Sequence, residues 1–67
     1  MPDIKYSAHA RKRMVERGIS PGEVREAISK GSKSLDGSLI TSVHRHLKVV
    51  FRRINDDWYV ITVMLRW

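Results

Sequence analysis

Three residues spaced by four, His9, Arg13 and Arg17, line an imidazole and two guanidiniums along one stripe of any helix that contains them. Such neighbours repel one another unless an anion or a carboxylate sits among them, and an arginine fork can hold two phosphate oxygens at once. Glu16 lies three residues from Arg13 and four from Lys12, so it can temper the stripe instead. Two readings fit: a phosphate-binding edge, or a basic helix that is exposed or fastened by its His and an Arg to the rest of the fold. Further along, Lys48 and Arg52 fall on one face of a strand with Arg53 behind them, and Arg66 follows near the C-terminus. Trp58 and Trp67 could stack an unpaired base beside these cations, although a Trp in so small a chain also serves as core or core margin.

Other chemistry finds less support. His44 and His46 form an H-x-H pair, with His9 a distant third, but the sequence sets no carboxylate or cysteine beside them to complete four metal ligands. No metal and no cofactor is expected. There is no glycine-rich phosphate loop, no Ser-His-Asp order and no paired-carboxylate arrangement, which leaves acyl transfer and nucleotide hydrolysis unsupported.

Thirteen Lys and Arg against seven Asp and Glu give the 67-residue chain a net charge of +6. A polyanion is the first partner such a charge suggests, RNA foremost; an acidic protein is the second, and a merely solvated surface the third. With no cysteine, disulfides are excluded and a reducing, cytoplasmic compartment is expected. The N-terminus lacks the apolar run of a signal peptide, and no stretch approaches the roughly 18 apolar residues of a membrane span. One domain over residues 1–67 has room for one modest core, so a partner or a weak homodimer would help it.

The elements that must position these residues are legible in part. Ile4 and Tyr6 alternate with Asp3 and Lys5, predicting a short strand. Ser7 caps a helix from Ala8 to Arg17 that Gly18 stops. Ser20, Pro21 and Glu23 open a second helix, with Ile19 and Val24 as a hydrophobic staple, Val24, Ala27 and Ile28 as its apolar stripe, and Gly31 at its end. On the first helix His9, Arg13, Arg17, Ala10 and Met14 follow in angular order within about 140°, so the cationic stripe lies beside the packing stripe. From Ser32 the composition turns to Ser, Gly and Asp, with Asp36-Gly37 a turn signal. Strands are predicted over Leu39–Val43, Leu47–Ile54 and Trp58–Leu65. Leu47, Val49 and Phe51 would bury together with Tyr59, Ile61, Val63 and Leu65, leaving Lys48, Val50, Arg52, Trp58, Val60, Thr62 and Met64 on an open face. The expected class is α+β: a short N-terminal strand, two helices on one sheet face, then a three-stranded antiparallel meander.

The run Ser7-Ala8-His9-Ala10-Arg11-Lys12-Arg13-Met14-Val15-Glu16-Arg17-Gly18-Ile19, followed by Leu47-Lys48-Val49-Val50 and Val60-Ile61-Thr62-Val63, resembles a family of small prokaryotic proteins catalogued as a domain of unknown function. That family carries an H-A-x-x-R-M-x-x-R-G-I signature and a closing I-T-V strand. The β-α-α-β-β-β order and the basicity are also similar to RelE-type and BrnT-type toxins, ribonucleases of toxin–antitoxin pairs. This second resemblance implies metal-independent attack of a ribose 2′-hydroxyl on the adjacent phosphate, an acidic antitoxin as partner, and an association with RNA that extends to the ribosome. It would make His9 the base or acid, let Arg13, Arg17, Lys48 and Arg52 share the phosphate, and have Thr62 orient. The chain departs from the RelE type in its shortness and in ending Met64-Leu65-Arg66-Trp67, with no catalytic tyrosine. A non-catalytic nucleic-acid-binding module and a basic protein that grips an acidic partner are the alternatives.

Overall fold

The structure, a computed structural model, describes residues 3–65. It is an α+β fold in which two helices cover one face of a mixed five-stranded sheet. The elements run β1 (Ile4–Tyr6), α1 (Ala8–Arg17), α2 (Pro21–Lys30), β2 (Ser32–Asp36), β3 (Leu39–His44), β4 (Leu47–Ile54) and β5 (Asp57–Leu65), and the sheet order is β1-β5-β4-β3-β2. Strand β1 pairs parallel to β5, and every other neighbour is antiparallel.

Both helices follow their local chemistry. The Ser7 hydroxyl accepts from the Ala10 N–H at 3.0 Å, and Gly18 closes α1 at a φ of 67°, where a side chain would be strained. In α2 the Ser20 and Glu23 side chains each accept from the other's backbone N–H. The inward faces, Ala10 and Met14 from α1 and Val24, Ala27 and Ile28 from α2, meet Leu47, Val49, Phe51, Val60 and Val63 in one core. Ser42 is the buried polar member. Its hydroxyl donates to the Ala27 carbonyl, which also accepts from the Gly31 N–H, so the end of α2 is tied to β3. A Cβ at Gly31 would collide with that hydroxyl and with the Ala27 and Val43 carbonyls; close approach, not φ, demands glycine there.

Three features depart from the sequence expectation. Residues Ser32–Asp36, where the sequence predicts no strand, form an edge strand held to β3 by its backbone, all of its side chains exposed. The meander therefore has four strands, with two-residue loops at Gly37-Ser38, Arg45-His46 and Asn55-Asp56. The third departure is a bulge. Val50 pairs with Thr62 and Phe51 with Val60, so Ile61 is an extra residue in β5 and the side-chain alternation reverses there. Beyond the bulge Val63 and Leu65 face the helices as expected. Before it Trp58 and Val60 face them instead, and Tyr59, predicted inside, lies across from Arg52 on the open face.

Candidate nucleic-acid interface

Strand β1 reaches only the first half of β5, pairing with Trp58–Val60. From Ile61 onward no described strand pairs with that side of β5, and α1 packs against this strand. Ser7 sets the joint: its backbone N–H donates to the Val60 carbonyl at 2.9 Å, and its hydroxyl, while capping α1, donates to the Ile61 carbonyl at 2.7 Å. The helix leaves this clamp along the second half of β5 and brings its cationic stripe to the sheet margin.

There Arg13 and Arg17 line a hollow of about 400 Å³ with Val63, Met64 and Leu65. Arg13 is half-buried and Arg17 exposed. Among the described residues no carboxylate lines this hollow and neither arginine enters an ion pair, although Glu16 is within sequence reach of Arg13. Met64 carries the surface around the margin onto the open face, where its cross-strand neighbour is Lys48. Arg13, Arg17 and Lys48 thus border one end of β5.

His9 is exposed and shares a second, smaller hollow of about 200 Å³ with Lys12, Arg13 and Glu16. Arg13 belongs to both hollows, which puts the imidazole next to the cationic pair. Thr62 is half-buried on the open face between Val50 and the margin.

The other sequence candidates lie apart. Arg52 is on the open face, about 13 Å along β4 from Lys48, across from Tyr59. Arg53 projects from the helix-side face at the far end of the strand, paired with Trp58. Trp58 packs at the core margin with its ring 5.8 Å from that of Phe51, at 49°. The bulge explains why it does not share the face of Lys48 and Arg52. Arg66 and Trp67 lie outside the described residues.

One cluster was missed by sequence reasoning. His44 Nε2 lies 3.1 Å from Glu26 Oε1 on α2, in a hollow of about 230 Å³ that also includes Glu23, Arg45, His46 and Leu47. Hydrogen bonding to His44, with Lys30 and Arg45 adding positive charge, holds the Glu26 carboxyl below its ordinary 4.5, against some desolvation. The carboxylate said to be lacking beside His44 comes from a separate element, 18 residues away. Spacing on α2 was the available signal, since Glu23 and Glu26 rise one turn apart beside the inward Ala27. Leu65 lines both this hollow and the arginine hollow, so the two flank the same strand end.

With this geometry in place, residues 6–65 match a family profile described as a domain of unknown function, DUF4258. The chain belongs to this family. The DUF4258 match takes in all of the described elements from Tyr6 onward, and with them the clamp, the cationic stripe and the strand end. No curated protein and no solved structure matches the chain.

Proposed function

We propose that this DUF4258 domain binds RNA along the margin where α1 meets the second half of β5. The observation that carries the reading is the hollow that Arg13 and Arg17 both line with no carboxylate among its described lining residues. Two guanidiniums one helical turn apart suit consecutive phosphates, and the apolar floor of Val63, Met64 and Leu65 suits a base turned out of a flexible single strand. A duplex-reading mode fits less well, because the apolar stripe of α2 is spent on the core.

The test is fluorescence anisotropy with a short single-stranded RNA. Arg13→Ala, Arg17→Ala and Lys48→Ala should each weaken binding several-fold, Arg53→Ala much less, and RNA should bind more tightly than DNA of the same sequence. Equal losses at Arg13 and Arg53 would locate the contact elsewhere.

Cleavage is the second reading, favoured by the exposed imidazole of His9 beside Arg13. It takes the fold as RelE-like and the protein as a toxin-type endoribonuclease neutralised by an acidic antitoxin. In that reaction His9 takes the 2′-hydroxyl proton, the oxygen attacks phosphorus, the bond to the 5′-oxygen breaks, and solvent or a protonated group supplies the leaving oxygen's proton. His9→Gln should abolish RNA cleavage and growth arrest on induced expression while RNA affinity changes less than twofold. Full cleavage by the folded variant removes His9 from the chemistry.

A further inference from the structure

The buried pair Ala10 and Met14 has a second flank on α1, opposite the arginine stripe, formed by Arg11 and Val15. RNA binding makes no use of it. Tyr6, Arg11, Met14, Val15, Ile19 and Pro21 line an open hollow there of about 450 Å³, and five of the six offer apolar surface. Val15 is 83% exposed. A β-branched residue at an exposed helix position contributes little helix propensity and no burial, so it serves the isolated domain poorly. Of the residues that line the hollow only Arg11 is charged, Arg25 on α2 acts electrostatically on Tyr6, and the nearby Glu23 carboxylate is engaged by the Ser20 N–H of the α2 cap. Burial nevertheless holds the Tyr6 hydroxyl above its ordinary 10, which keeps it neutral.

We propose that this hollow docks an acidic amphipathic segment of a partner protein, one large apolar side chain entering beside Val15 while flanking carboxylates meet Arg11 and Arg25. Charge complementarity selects this occupant. A second copy of the chain would set Arg11 and Arg25 against cations of the same patch in a two-fold contact. RNA would leave the apolar wall of Met14, Val15 and Ile19 facing charged phosphates. Since the two flanks lie on opposite sides of the Ala10–Met14 stripe, peptide and RNA occupy different surfaces.

The probe is a fluorescent peptide of about 14 residues, four turns of helix, with Leu at spacings of three and four and Glu elsewhere. Two control peptides replace Leu by Ala or Glu by Lys. The full chain should bind the Leu/Glu peptide and at least tenfold more weakly either control. Val15→Asn, which alters no charge, and Arg11→Gln should each weaken peptide binding about tenfold while melting as wild type does, and Val15→Asn should bind RNA as before. The proposal is overturned if the Leu/Glu peptide does not bind, if the Ala/Glu peptide binds as well, or if folded Val15→Asn binds undiminished. It is equally overturned if sedimentation shows a dimer that Val15→Asn dissociates, since the occupant would then be a second copy.

Discussion

At the scale of single residues, Ser7 does most to place the cationic stripe. One hydroxyl caps α1 and reaches the carbonyl of the bulged Ile61, so helix start and sheet margin share an anchor. Ser7→Ala removes a cap and leaves that carbonyl without its donor, and should cost about 2 kcal/mol, read from chemical denaturation. A loss under a few tenths would mean that water replaces the clamp. The Glu26–His44 contact makes a different prediction, in pH. A carboxyl whose folded pKa is depressed adds stability that is present above its unfolded value and lost as pH falls through the folded one. The melting temperature of wild type should therefore exceed that of Glu26→Gln above pH 4.5, with the gap closing below it. A gap independent of pH would contradict an ionised Glu26 in the contact.

At the scale of elements, the bulge decides which side of β5 is core. Val60 is fully buried, while Val50 is only half-buried on the open face. An unpaired buried carboxylate costs several kcal/mol, comparable to the whole stability of a small domain. Val60→Asp should therefore unfold the chain by circular dichroism, and Val50→Asp should leave it folded with a lowered melting temperature. Equal damage would mean that the open face is covered too. Sequence could not show this phase change, because Trp58-Tyr59-Val60-Ile61-Thr62-Val63-Met64-Leu65 is apolar at nearly every position and fits either alternation. Strand β2 escaped for the opposite reason: Ser32-Lys33-Ser34-Leu35-Asp36 buries nothing and pairs through its backbone alone. The helices were legible because caps, staple and stripes are local signals. So was the stripe of His9, Arg13 and Arg17, whereas the meeting of its arginines with Met64 depends on β1 stopping at Tyr6, a pairing no short-range pattern encodes.

At the scale of the whole molecule, α1 separates two surfaces of different chemistry. One flank is cationic and opens toward the end of β5; the other is apolar with a cationic rim. A charge of +6 spread evenly would attract any polyanion weakly, so selective RNA binding depends on where the charge acts. The most direct measurement is the salt dependence of RNA affinity for wild type and for the Arg13→Ala, Arg17→Ala double variant. Each phosphate contact on a single strand contributes about 0.7 to the slope of log affinity against log salt. Wild type should show a steep slope that becomes shallower by about 1.4 in the double variant, with its fold intact. A folded double variant with the wild-type slope and affinity would contradict RNA binding at the α1–β5 margin.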